Sequence, residues 1–207
     1  MRKLVTAAFV SLDGVMQAPG GPEEDTSGDF RFGGWVFPYA DEAISQGTAA
    51  NDGKPFELVL GRKTYDIFAG YWPHVDFDPA SPVGGIASAF NNATKYVASR
   101  SQSSFSWQNS QWLGQDTVAA VRALKQSDGP DLLTQGSANF LQTLLAADLI
   151  DELRLLIYPV VLGDGKRLFQ GGAHPGAFTL THSVIASSGV IITAYQRAGD
   201  VRTGSFV

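Results

Sequence analysis

The stretch Phe56-Glu57-Leu58-Val59-Leu60-Gly61-Arg62-Lys63-Thr64-Tyr65 decides the fold. The apolar run 56–60 is bounded by polar and turn residues and is too short for a globular helix, so it reads as a buried strand. It runs through one glycine into a segment with helical spacing, 64–71, which Pro73 stops. The same order recurs downstream: a strand at 131–134, then Gln135-Gly136-Ser137, then Phe140, Leu141, Leu144 and Leu145 at helical spacing. Strands alternating with helices in this way indicate α/β architecture with a largely parallel sheet.

Outward from these two units, the first strand is expected at 3–10. Two basic residues, Arg2 and Lys3, precede its apolar run, but that run is short, holds Thr6 and reaches Asp13 without a small-residue cleavage site, so it reads as strand and not as a secretion signal. A loop rich in Gly, Pro and acid follows at 17–34, then a helix from 38 to about 50. The segment 74–85 reads as loop, 87–91 as a short helical piece and 95–99 as a strand. The Ser/Gln-rich stretch 101–110 reads as a loop with a minor strand. Asp116 is placed to cap a helix whose apolar stripe is Val118, Val121 and Leu124, with Lys125 in its last turn. A long strand is expected at 153–162, and strands 178–186 and 190–196 form a hairpin through Ser187-Ser188-Gly189.

The composition limits what such a fold can do. With 207 residues, the expectation is a single domain over 1–207. A net charge of −5 provides no global basic field, so neither nucleic acid nor an anionic membrane is an expected partner. No stretch is long and apolar enough for a membrane span, and a cytoplasmic location is expected. There is no cysteine, hence no disulfide and no thiolate chemistry. His74, His174 and His182 lack metal-ligand spacing, so no metal site is expected.

In open α/β sheets, ligands bind beyond the carboxyl ends of the strands. At Gly61-Arg62-Lys63-Thr64 a glycine admits close backbone approach, a helix N-terminus presents unpaired N–H groups, and the side chains add donors; this suits an anion. The plainer alternative is a turn at Gly61 and an N-cap at Thr64. Gln135-Gly136-Ser137-Ala138-Asn139 repeats the pattern, and the two termini together could hold a pyrophosphate. Ser99-Arg100 ends another strand and could meet a further phosphate, or be only a solvated basic turn. Neither a G-x-G-x-x-G fingerprint nor a P-loop is present. Glu23, Glu24 and Asp25 read as a solvated acidic loop. Trp35, Phe37, Tyr39, Tyr71 and Trp72 could line a slot for a planar ring or pack in the core.

Strand-Gly61-Arg62-Lys63-Thr64-Tyr65 resembles an element of the dihydrofolate reductase fold. Ser11-Leu12-Asp13-Gly14 and the run Tyr158-Pro159-Val160-Val161-Leu162-Gly163-Asp164-Gly165-Lys166-Arg167-Leu168-Phe169 resemble more specifically the reductase domain of riboflavin biosynthesis and its stand-alone relatives. The resemblance implies a three-layer α/β/α fold around a mixed, mostly parallel sheet of about eight strands, NADPH as cofactor, and a homodimer. It implies that Gly61, Arg62, Lys63 and Thr64 bind phosphates, that Ser99 and Arg100 lie near the adenosine end, and that Gly136, Ser137, Ala138 and Asn139 contact pyrophosphate and ribose. Asp13 and Gly14 would lie beside the nicotinamide, where the residues alone read as a simple Asp-Gly turn; of the aromatics above, Trp35 and Phe37 are the candidates to contact substrate.

Dihydrofolate reductases carry a carboxylate five residues after a tryptophan. In Trp35-Val36-Phe37-Pro38-Tyr39-Ala40-Asp41 the acid arrives one residue late, a rotation of about 100° on a helix. Folate is therefore not the expected substrate, and Asp13 and Asp41 are the candidate catalytic acids. The riboflavin-pathway enzyme joins its reductase to a zinc deaminase with a His/Cys signature, which a cysteine-free chain does not carry. The expected function is hydride transfer from NADPH to a C=N or C=O bond of a small pterin-like or aminopyrimidine-like heterocycle. The alternative is a protein of this fold that binds NADP(H) or another ligand without turnover.

Overall fold

The computed structural model describes residues 1–41, 43–44, 53–75, 78, 81–101, 104–170 and 173–206. Eight strands form one sheet: β1 (Leu4–Ser11), β2 (Phe56–Gly61), β3 (Lys95–Ala98), β4 (Ser110–Trp112), β5 (Asp131–Thr134), β6 (Glu152–Tyr158), β7 (Phe178–Ile185) and β8 (Ile191–Arg197). Their order is β4-β3-β2-β5-β1-β6-β8-β7. The pairings from β4 through β6 are parallel, and β8 pairs antiparallel with both β6 and β7. This is the mixed, mostly parallel sheet expected above. The four α-helices among the described residues are α1 (Arg62–Tyr71), α2 (Pro82–Asn92), α3 (Thr117–Gln126) and α4 (Ala138–Ala146). None is long and apolar enough to cross a membrane.

Alternation along the strands sorts the core into two faces. Leu4, Ala8, Leu132, Leu153 and Leu155 point to one face and pack with Val121 of α3 and Leu141 and Leu144 of α4. Val5, Leu58, Leu60 and Leu133 point to the other and pack with Tyr65 of α1 and Phe90 of α2. Farther along that second face a separate cluster forms around Leu156, Tyr158 and Ile192, covered by Val15, Phe30 and Trp35 from the long loop after β1. One face thus carries two clusters. Between them the sheet presents Ala7 and Phe9 of β1, whose partial coverage leaves room for the cavity described below.

Local sequence signals account for most element ends. Asp116 caps α3 as expected, its Oδ1 accepting the N–H of Ala119 at 2.9 Å. The last strand of the parallel set stops at Tyr158 and does not reach 162, because Pro159 has no N–H to give the ladder. The segment 74–85 is not wholly loop: α2 begins at Pro82, where Ser81 accepts the N–H of Gly84 at 3.0 Å. Serine at the N-cap followed by proline is a helix start that two glycines in the first turn obscure. The helix expected from 38 to about 50 falls mostly on residues outside the described ones; its described entry is a 3-10 turn, Phe37–Tyr39.

Candidate functional site

A cavity of ≈ 580 Å³ opens over the carboxyl ends of the central strands, a size typical of small-molecule sites. Its floor includes Ala7, Phe9, Leu133 and Leu156; one wall is Ile67, Phe68 and Tyr71 of α1 with Trp72 at the helix's C-cap, and the opposite wall is Met16 to Gly20 of the loop after β1. Gln135 to Asn139 form one end, beside Lys63 and Thr64.

That end is built by two glycines. The Gly61 N–H donates to the Gly136 carbonyl at 3.0 Å, which sets the end of β2 directly against the loop that enters α4. A β-carbon on Gly61 would lie 2.2 Å from Ser137 Oγ, 2.8 Å from Ser137 N and 2.9 Å from Phe140 Cβ. Gly136 has φ +138°, and a β-carbon there would lie 2.7 Å from Thr64 Oγ1. The contact brings the N-termini of α1 and α4 to one place. Neither helix has a side-chain cap, whereas α2 and α3, elsewhere in the fold, both do. Uncapped first-turn N–H groups, a lysine and a threonine hydroxyl suit a polyanion such as a dinucleotide pyrophosphate.

The acidic loop is not simply solvated. Asp25, its side chain 11% exposed, bonds Lys63 Nζ from α1 and Lys166 Nζ at 2.6 Å, so it latches the loop to both sides of the cavity. Burial pushes the Asp25 carboxyl up, but the hydrogen bonds from Lys166, Lys63 and Ser27 outweigh it and hold the group well below its ordinary value of 3.8. It stays ionised throughout the physiological range. Buried Gln17 completes the latch, donating to the carbonyls of Asp25 and Ser27 at 2.9 and 2.8 Å and accepting the Lys166 N–H at 3.0 Å. Glu24 also lines the cavity, its Oε2 accepting the Gly20 N–H at 2.5 Å.

Of the residues singled out from sequence, Lys63, Thr64, Gly136, Ser137, Ala138, Asn139 and Phe37 line the cavity, as do Tyr71 and Trp72. Gly61 packs immediately behind it. Arg62 pairs with Asp66 at 2.8 Å and lies over the Phe105 ring. Ser99 and Arg100 follow the end of β3, outside the cavity lining. Trp35 is buried under the loop, its Nε1 donating to the Gln17 carbonyl at 2.8 Å, so it braces the cavity wall without lining it.

Neither candidate acid lines the cavity. Asp13 accepts the N–H groups of Leu162 and Gly163 at 3.1 and 2.9 Å and the Ser11 hydroxyl at 2.6 Å, clamping the first turn to the segment after β6. Its burial would raise its pKa, but those hydrogen bonds bring it down to about 2. Asp41 accepts from the Ser187 hydroxyl and from the Ala43 N–H at 2.7 Å; the Ser187 bond chiefly lowers its pKa. Gln17, Glu24, Asp25, Arg154 and Lys166, which the sequence reading passed over as site residues, are all in the lining. Lys166 follows Gly163-Asp164-Gly165 in the run quoted above; nothing in local spacing links it to Asp25.

A profile of the RibD C-terminal domain family matches residues 2–192. The uncharacterized protein YyaP of Bacillus subtilis is 27% identical over 198 residues, covering 96% of each chain. Among solved structures, a protein from Shewanella sp. PV-4 provisionally assigned to riboflavin biosynthesis has a TM-score of 0.66 at 20% identity, covering 95% of this chain and 99% of that one. Dihydrofolate reductase from Enterococcus faecalis, complexed with NADP(H), has a TM-score of 0.57 at 14% identity, covering 94% and 96%. The two structures are likenesses of fold.

Proposed function

The chain belongs to the RibD C-terminal domain family, and on that premise we propose that it is a cytoplasmic, homodimeric NADPH-dependent reductase acting on a C=N or C=O bond of a small pterin-like or aminopyrimidine-like heterocycle. The observation that carries this reading is the convergence of two uncapped helix N-termini on one apolar-walled cavity. Lys63, Thr64, Gly136, Ser137, Ala138 and Asn139 would hold the pyrophosphate and adjoining ribose, with Gly61 allowing the approach. Arg62 would add its charge to the phosphates, and Ser99 and Arg100 would serve the adenosine side. When bound, NADPH supplies the hydride.

The rest of the work belongs to the chain. Phe37, Phe68, Tyr71 and Trp72 offer apolar and aromatic surface to planar rings and exclude water from them. Trp35 and Gln17 hold the loop that closes the opposite side, which fixes ring orientation. The Lys63–Asp25–Lys166 latch keeps the loop in place while the cavity is filled.

A second reading, ligand binding without turnover, draws on the positions of Asp13 and Asp41 outside the cavity lining. The two are separated by incubating the protein with NADPH and a panel of dihydropterins, dihydrofolate and ribosylaminopyrimidines and following loss of reduced-nicotinamide absorbance. Enzyme-dependent oxidation with at least one compound is expected. Binding of NADPH with no oxidation across the panel would favour the second reading.

A further inference from the structure

Reduction of a C=N or C=O bond needs a proton as well as a hydride, and both acids suggested by the sequence are committed elsewhere. Among the described residues two carboxyls line the cavity, Glu24 and Asp25. They are adjacent in sequence and opposite in environment. Asp25 is saturated by two lysines. Glu24 makes no ion pair among the described residues; its carboxyl accepts the Gly20 N–H at 2.5 Å, on a wall that also presents Ala18 and Pro19.

The charged and titratable groups around it are accounted for. On its own loop the neighbour is the Asp25 carboxylate. From α1, Lys63 faces Asp25, and Tyr71 lines the wall across the cavity. From the segment after β6, Lys166 also faces Asp25. From β6, Arg154 lines the cavity and pairs with Glu152 at 2.7 Å. Each of the three cations therefore has another carboxylate as partner, and the charge that acts on Glu24 is the like charge of Asp25.

We propose that Glu24 is the proton donor of this cavity. The assignment rests on the reductase reading and deepens it. With a bound reduced nicotinamide supplying the hydride to the substrate carbon, Glu24 would give its proton to the bonded nitrogen or oxygen. The π bond is replaced by one C–H and one N–H or O–H bond, the nicotinamide is oxidised, and the Glu24 carboxylate recovers a proton from water. Burial, the largest influence, and the neighbouring Asp25 charge raise the Glu24 pKa above its ordinary value of 4.5 against the lowering effect of the backbone N–H groups at Gly20 and Gly21. Two adjacent carboxyls, one with its pKa lowered by lysines and the other with its pKa raised, have the opposed environments expected of such a site.

The test has two arms. In the free protein, an NMR titration of the Glu24 carboxyl carbon, assigned by its loss in Glu24→Gln, is expected to give a midpoint above 4.5. A midpoint at or below that value overturns the proposal, and this arm reads Glu24 whether or not any compound is turned over. In the second arm, NADPH oxidation is measured with the first active compound of the panel above. Glu24→Gln is expected to lower kcat ~10²-fold or more and to abolish the acid-side dependence on pH, with NADPH affinity unchanged and partial rescue in Glu24→Asp. Wild-type kcat and pH profile in Glu24→Gln would overturn the assignment while leaving the reductase reading intact. Failure of the wild type itself to bind NADPH would instead remove the reading beneath it.

Discussion

Gly61→Ala is expected to cost about 1–3 kcal/mol of stability and to weaken NADPH binding at least ~10-fold in the protein that remains folded. The backbone of Gly61 is in an ordinary extended conformation, so strain in φ is not the cause. The cause is space. Ser137 Oγ can rotate away from the new methyl group, but Ser137 N and Phe140 Cβ, at 2.8 and 2.9 Å, belong to the backbone and root of α4 and cannot. The end of β2 and the start of α4 must separate, and the bond from the Gly61 N–H to the Gly136 carbonyl lengthens with them. Urea unfolding and NADPH titration of the same variant check both parts. Gly70→Ala is the control: Gly70 is exposed on α1 with nothing within 4 Å of the new carbon, and the change should stabilise by ~0.5–1 kcal/mol. Equal behaviour of the two variants would contradict the close-approach argument.

The second large effect concerns Lys95, which is fully buried in β3. Its ammonium donates to the carbonyls of Asn91, in the last turn of α2, and Gln108 at 2.7 and 3.1 Å, and sits 4.3 Å from the centre of the Trp107 ring. A helix C-terminus and an aromatic face both favour a cation, yet no carboxylate shares the site among the described contacts. Desolvation lowers the pKa from 10.5 to about 8. A depressed lysine destabilises the fold while it is charged, so the penalty is full below pH 8 and fades as pH rises from there toward 10.5. The penalty is on the order of 3 kcal/mol at neutral pH. Lys95→Met removes it together with some pH-independent packing and hydrogen bonding. The stability difference between Lys95→Met and wild type is therefore expected to shift by ~3 kcal/mol in favour of wild type between pH 7 and 10.5. A difference that stays constant with pH would show that Lys95 is not held at a lowered pKa.

Residues 56–65 and 131–145 were enough to read the parallel βα units, because strand, glycine and helix follow one another without interruption there. The same stretches hold one half of the candidate site: Lys63, Thr64 and the run Gly136 to Asn139 line the cavity together. The other half was illegible for a physical reason. Asp25 meets Lys63 and Lys166 across separations of 38 and 141 residues, and Gln17 meets Lys166 across 149. No local period encodes such contacts, so an acidic loop that braces the cavity looks, in sequence, like one that faces water. Asp13 illustrates the converse: the Asp-Gly pair alone reads as a turn and only the family resemblance made it a catalytic candidate, and its carboxylate serves as a clamp for the amides of Leu162 and Gly163.

The central claim is that the cavity is a dinucleotide site, and NADPH titration tests it most directly, with Trp72 in the cavity wall as the fluorescent reporter. Saturable quenching is expected together with a rise in the thermal unfolding midpoint, equivalent to ~2.7 kcal/mol of added stability at about 100 times Kd. No change in fluorescence and no shift in the midpoint at millimolar NADPH would contradict it.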